Sequence, residues 1–153
     1  MAKTDSELDI LKFAIHRETE AYNLFSALAE RVENVNIRKL LEDLAAEELE
    51  HKARLELEII KTGKTILQAE TPAPFSVSDY IVTNNPAQLD MDYKDILMLC
   101  MAKEDASFRI YVNMISKTAD EHLKEILLTL AQEEVRHKLR FEASYEALLK
   151  NAQ

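Results

Sequence analysis

A chain of 153 residues has room for a sizeable core, and its formal net charge of −9 argues against nucleic acid or an anionic membrane as partner. A single cysteine excludes an intrachain disulfide and any cysteine-rich metal module. No apolar run of about 18 residues occurs and no apolar stretch follows the N-terminus, so no membrane span or signal peptide is read and a cytoplasmic address is expected.

With only one glycine and three prolines, helix breakers are nearly absent outside one central stretch. Four amphipathic helices are predicted from apolar spacings of three, four and seven. The first opens on a capping box, Thr4 with Glu7, and runs to about Glu33, with Leu11, Ala14, Ile15, Ala21, Tyr22, Phe25 and Leu28 on its apolar face. The second runs from about Val35 to Lys61, carries Ile37, Leu40, Leu41, Leu44, Ala45 and Leu55, and is followed by Gly63 where a terminating glycine belongs. The third starts near Asp92, an N-cap, and shows Leu97, Cys100, Met101, Phe108, Tyr111 and Ile115. The fourth starts near Asp120 and shows Leu123, Ile126, Leu127, Leu130 and Phe141.

Short connections make the first and second helices, and the third and fourth, antiparallel neighbours. Between the pairs lies a segment, about residues 63–91, that holds all the prolines. It reads as a long crossover running the length of the bundle, with a helical turn near Ser78–Val82. A helical hairpin cannot bury its apolar stripe alone, so residues 1–153 are read as one domain rather than two. The expected fold is all-α, an antiparallel four-helix bundle with no sheet.

The two halves repeat. A shift of 86 residues lays Glu18 on Glu104, Leu41 on Leu127, Leu44 and Ala45 on Leu130 and Ala131, Glu47 and Glu48 on Glu133 and Glu134, His51 and Lys52 on His137 and Lys138, and Arg54 on Arg140. No gap is needed over about 50 residues, which implies a pseudo-two-fold bundle of two hairpins.

Polar residues interrupt all four apolar faces. Glu48 and His51 fall between Leu44 and Leu55, and Glu134 and His137 between Leu130 and Phe141. Glu18 lies between Ala14-Ile15 and Ala21-Tyr22, and Glu104 between Cys100-Met101 and Phe108. Four converging carboxylates repel by roughly 4 kcal/mol per pair at an effective dielectric of about 20, and desolvation adds several kcal/mol for each. The periodicity puts no lysine or arginine on those faces; Lys52 and Arg54 point elsewhere. Two divalent metal ions carry four positive charges, which balance four ionised glutamates, and neutral imidazoles add nitrogen ligands. Glu18, Glu48, His51, Glu104, Glu134 and His137 are therefore the expected metal ligands, with residues three apart on a helix able to share one metal pair.

The stretches FAIHRETEAYNLFSALAE and LLEDLAAEELEHKARLE resemble the first hairpin of the rubrerythrin family, and MAKEDASFRIYVNM with LTLAQEEVRHKLRFE resembles the second. The resemblance implies a ferritin-like fold with a di-iron site; such proteins take one Glu from each of two helices and Glu-x-x-His from each of the others. It implies that Glu48 and Glu134 bridge the metals, that Glu18 and Glu104 are terminal, and that His51 and His137 each cap one ion. Iron is the expected metal, with manganese or zinc as alternatives. The implied activity is an oxidoreductase that reduces hydrogen peroxide or O2 in oxidative-stress defence. Ferroxidase or iron handling, and a non-catalytic metal-binding bundle, are the alternatives. Ser107 stands where the family carries a further carboxylate, and one cysteine cannot supply the family's four-cysteine rubredoxin-like iron, so either the electron donor is a separate protein such as a rubredoxin or the peroxidase role is lost.

Around the six, Glu47 and Glu133 read as solvated or supporting residues, and Glu20 as lying off the apolar face. His16 and His122 read as surface residues, and Cys100 as a small buried hydrophobe. Tyr22 and Tyr111 read as core aromatics, with a hydroxyl that hydrogen-bonds a ligand carboxylate as the alternative for either. Phe75, Val77, Tyr80, Ile81 and Val82 of the crossover have no place in the four stripes, so a homodimer whose interface includes part of residues 72–86 is expected.

Overall fold

The computed structural model describes residues 5–62 and 92–151, with side chains from residue 7 onward. Its elements are four helices: α1 Asp5–Arg31, α2 Val35–Lys61, α3 Tyr93–Ser116 and α4 Glu121–Asn151. Among the described residues there is no strand. The capping chemistry explains the starts. Asn34 accepts a hydrogen bond from the Ile37 amide at 3.1 Å, and Asp92 accepts one from the Asp95 amide at 2.9 Å. Asp120 takes the amides of His122 and Leu123 in the same way ahead of α4. At the far end of α2, Thr62 closes the last turn onto the Ile59 carbonyl through both its amide and its hydroxyl. The predicted capping residue Thr4, the glycine at 63, the crossover 63–91 and the interface segment 72–86 lie outside the described residues.

The four stripes close into two apolar clusters rather than one. The first takes the later half of α1 (Ala21 to Ala29) with Val32 just past its end, the start of α2 (Ile37 to Ala45), the start of α3 (Ile96 to Cys100) and Phe141 of α4. Its Phe25 and Phe141 rings meet at 5.5 Å in a tilted pair. The second takes the start of α1 (Leu8 to Ala14), the end of α2 (Leu55, Ile59), the later part of α3 (Ile110 to Met114) and Leu123 to Ala131 of α4. On every helix the break between clusters falls where the charged residues interrupt the stripe: at Glu18, at Glu48 and His51, at Glu104, and at Glu134 and His137. Each buried Leu or Phe of the two clusters contributes about 1.5–3 kcal/mol, and that burial holds the intervening polar layer in place.

Cluster membership also fixes the topology. The end of α1 shares a cluster with the start of α2, so these two run antiparallel, as do α3 and α4. The starts of α2 and α3 share a cluster too, so α2 ends and α3 begins at opposite ends of the bundle. That is the arrangement of a ferritin-like bundle with one long crossover. No described helix is long and apolar enough to cross a membrane.

Candidate metal centre

Glu18, Glu48, His51, Glu104, Glu134 and His137 are all buried and all turn into the layer between the two apolar clusters. Their ligating atoms fall into two overlapping groups. Glu18, Glu48, His51 and Glu134 bring one atom each within 4.8 Å of one another, and so do Glu48, Glu104, Glu134 and His137. Glu48 and Glu134 belong to both groups; each remaining residue belongs to one.

The imidazoles are set edge-inward. The His51 and His137 rings lie parallel, 4° apart in plane and 5.7 Å between centres. The His51 Nδ1 atom stands 3.4 Å from an oxygen of Glu18, 3.4 Å from one of Glu134 and 3.7 Å from one of Glu48. The His137 Nδ1 atom stands 2.9 Å from Glu48 and 3.6 Å from Glu104. None of these approaches has hydrogen-bond geometry. Both Nδ1 atoms, both oxygens of Glu48, Glu104 and Glu134, and Oε2 of Glu18 are buried without a hydrogen-bond partner among the described residues. Nine buried polar atoms aimed at one small volume would destabilise the bundle by several kcal/mol unless something binds there. Oxygen and imidazole nitrogen are the donor set of iron, manganese and zinc, and the residues fit a metal pair on that ground.

The outer edge of each ring meets a carboxylate from the other hairpin. His51 Nε2 contacts Glu133, and His137 Nε2 contacts Glu47. Arg54 approaches Glu133 at 3.8 Å and Arg140 approaches Glu47 at 3.9 Å. Glu47 and Glu133, read from the sequence as solvated or supporting residues, thus stand against the outer ring edges. With a metal bound, a carboxylate beside Nε2 would favour the ring proton there and leave the Nδ1 lone pair for the ion. These residues, with Glu50 and Arg136, line a cleft of about 190 Å³ between α2 and α4.

Charge in the metal-free layer is strained. Burial, followed by the charges of neighbouring carboxylates, pushes Glu48 and Glu104 well above the ordinary carboxylate value of 4.5. Burial alone would raise Glu18 also, but its contacts with Glu48, His51 and Tyr111 outweigh that and hold it below 4.5. Burial would lower His51, yet the carboxylates of Glu134, Glu18 and Glu48 raise it far above 6.5. Without a metal, the layer holds protons that bound cations would displace.

Tyr111 is fully buried, and its hydroxyl donates to Glu18 Oε1, leaving Oε2 turned inward. Tyr22 stands instead beside the groove between α1 and α2. Cys100 is buried, and burial pushes its thiol up, so it is the inert small hydrophobe that was expected. His16 is exposed and pairs with Glu20 at 3.2 Å. His122 is exposed but reaches Glu58, a buried glutamate that the periodicity did not single out, at 3.3 Å.

One expectation is corrected. The neighbourhood of the layer does hold cations, because Arg17 and Lys103 are buried at 2% and 0% exposure. The Arg17 Nη2 atom donates to Ser107 Oγ at 3.2 Å, so the place of the family's further carboxylate holds a hydroxyl on a guanidinium. Lys103 reaches Glu20 at 3.7 Å, and burial, then Arg17, draws its ammonium down to about 8. Helix phase puts both residues beside the core stripe, but their long stems fold back across the α1–α3 interface. Lys52 and Arg54 do point elsewhere.

The family model described as Rubrerythrin matches residues 9–145. Among curated proteins none is significantly similar in sequence. Solved structures share the fold at low identity. A manganese catalase from Anabaena is 19% identical, with 95% of this chain and 75% of that one covered at a TM-score of 0.70. A dodecameric thioferritin, the bacterioferritin-related protein from Bacteroides fragilis, is 18% identical, with 99% and 92% covered at 0.72. A DUF305 fragment from Deinococcus radiodurans is 13% identical, with 96% and 99% covered at 0.78.

Proposed function

The chain belongs to the rubrerythrin family, and from that premise we propose that it is a dinuclear non-haem iron protein that reduces peroxide. The observation that carries the proposal is the pair of overlapping ligand groups sharing Glu48 and Glu134. Two four-residue groups with two members in common would suit two adjacent ions that share those members better than two separate sites. Glu48 and Glu134 would bridge, Glu18 and Glu104 would each hold one ion at its outer side, and His51 and His137 would each supply Nδ1. Bound as ferrous ions, the pair supplies the two electrons that, with two protons, convert hydrogen peroxide to two waters.

The chain's own groups prepare that chemistry. Glu133 and Glu47 stand beside Nε2 of the two rings, where they would hold the ring proton and orient each Nδ1 toward an ion. Tyr111 fixes one oxygen of Glu18 so that the other faces inward. The two apolar clusters exclude bulk water on both sides of the layer, which strengthens every electrostatic contact inside it. The single cysteine of these residues cannot build a four-cysteine iron module, so re-reduction would draw electrons from another domain or protein.

The manganese of the Anabaena neighbour and the ferritin character of the Bacteroides neighbour name the competing readings. Anaerobic Fe(II) loading, metal counting and stopped-flow absorbance separate them. We expect two irons per chain, oxidised faster by peroxide than by O2. Faster oxidation by O2 with uptake beyond two irons would favour ferroxidase action, and no oxidation by either would contradict a redox role.

A further inference from the structure

Arg17 and Lys103 are 86 residues apart, so the repeat makes them equivalent, and each immediately precedes a glutamate of the centre, Glu18 and Glu104. Both are buried, and neither is fully satisfied: Lys103 Nζ and Arg17 Nε have no hydrogen-bond partner among the described residues. Among the described residues, and apart from Glu104 of the centre itself, one anion serves both. Glu20 lies 4.0 Å from Arg17 and 3.7 Å from Lys103, is itself 31% exposed, and is shared further with His16. Two buried cations facing one half-exposed carboxylate leave an excess of positive charge against the α1–α3 side of the metal layer.

A brace between two helices does not need that excess. A neutral amide pair would span the same gap without two like charges repelling each other in a region of low dielectric. The arrangement does have a consequence for a metal pair held by Glu18 and Glu104. Loss of one electron from each ion adds two positive charges to the layer, and fixed cations beside it oppose that change.

We infer that Arg17 and Lys103 raise the reduction potential of the metal pair, and that Glu20 on the rim moderates them. The inference rests on the dinuclear iron reading above. By it, the two cations act on the ions through space and through Glu18 and Glu104, touching no substrate. They favour the ferrous state, so that the centre is readily re-reduced after each turnover.

The test is a spectroelectrochemical titration of the iron-loaded protein, read against wild type. Lys103→Met and Arg17→Gln should each shift the ferric-to-ferrous ratio at fixed potential about tenfold toward ferric. That is the order expected for one charge about 10 Å away at an effective dielectric of about 20, and it corresponds to about 59 mV per electron. Lys103→Arg and Arg17→Lys keep the charge and should stay within about twofold of wild type. Glu20→Gln, at a half-exposed position that tolerates change, should shift the ratio the opposite way. A bracing role would not reverse sign between Lys103→Met and Glu20→Gln; equal or same-direction shifts in the two would overturn the inference. A wild-type protein that takes up no redox-active iron pair would overturn the dinuclear reading, and this inference with it.

Discussion

The two halves of the centre descend from one sequence pattern, yet their surroundings diverge. In the half built on Glu18 and His51, Tyr111 donates its hydroxyl to the glutamate, and Glu133, only 25% exposed, backs the histidine. In the half built on Glu104 and His137, the 86-residue offset places Phe25 where Tyr111 would be, and Phe25 packs on Phe141 instead. Glu104 keeps both oxygens without a hydrogen-bond partner, and the backing carboxylate, Glu47, is 44% exposed. The cations diverge as well. Arg17 finds the Ser107 hydroxyl, whereas the equivalent place for Lys103 is Ala21, so Lys103 turns to Glu20. A repeated hairpin thus supplies equivalent candidate ligands, and a few unmatched neighbours tie down one carboxylate and leave the other without a hydrogen-bond partner among the described residues.

The shared residues set the largest expected effect. Glu48→Ala should abolish binding of both ions, because Glu48 serves both groups. His137→Ala, by contrast, should remove one ion and leave the half containing His51 occupied. Metal counting after anaerobic loading separates them, and a Glu48→Ala protein that retains two ions would break the bridge assignment.

The backing carboxylates come next. Glu133→Gln and Glu47→Gln should each weaken metal affinity about 10- to 100-fold, with Glu133 toward the upper end because it is the more buried. Competition with a chelator measures both. Equal, negligible effects would mean that the outer contacts of the rings do not orient them.

Tyr111→Phe makes the two halves alike. It should lower the stepwise affinity of the Glu18 half about tenfold and bring the two binding constants closer together. A calorimetric titration in which the constants stay as far apart as in wild type would show that the hydroxyl is not what distinguishes the halves.

The smallest effect is on pH dependence. Burial and carboxylate neighbours raise Glu48 and Glu104 in the metal-free chain, so above about pH 4.5 the folded state holds protons that the unfolded state has released. Metal-free stability should therefore fall as pH rises above about 4.5, while metal affinity rises as ligands deprotonate. The gap between the melting temperatures of the metal-loaded and metal-free protein should widen from about pH 5 to about pH 7. A constant gap would contradict the strained charge of the layer.

The bundle and the convergence of six residues were legible because both rest on periodicity. Glu18, Glu48, His51, Glu104, Glu134 and His137 each interrupt an apolar stripe at helical spacing, and the offset of 86 residues pairs them. Asp92, read as an N-cap, marks the start of α3 by a local side-chain contact. What escaped depends on side-chain length and on which helices face each other. Arg17 and Lys103 sit one residue off the stripe, and only the α1–α3 approach shows that their stems fold inward. Glu58 and His122 meet because the end of α2 lies beside the start of α4, a pairing between residues 64 apart. The offset does carry a signal for Arg17 and Lys103, since both precede a glutamate of the centre, but charge without burial does not reveal it.

Two iron ions sharing Glu48 and Glu134 would be magnetically coupled, and the magnetic behaviour of the iron-loaded protein tests that sharing most directly. Two irons per chain, spin-coupled and lying in two distinguishable environments by Mössbauer spectroscopy, are the predicted result. Fewer than two irons per chain, or two that are magnetically independent, would contradict it.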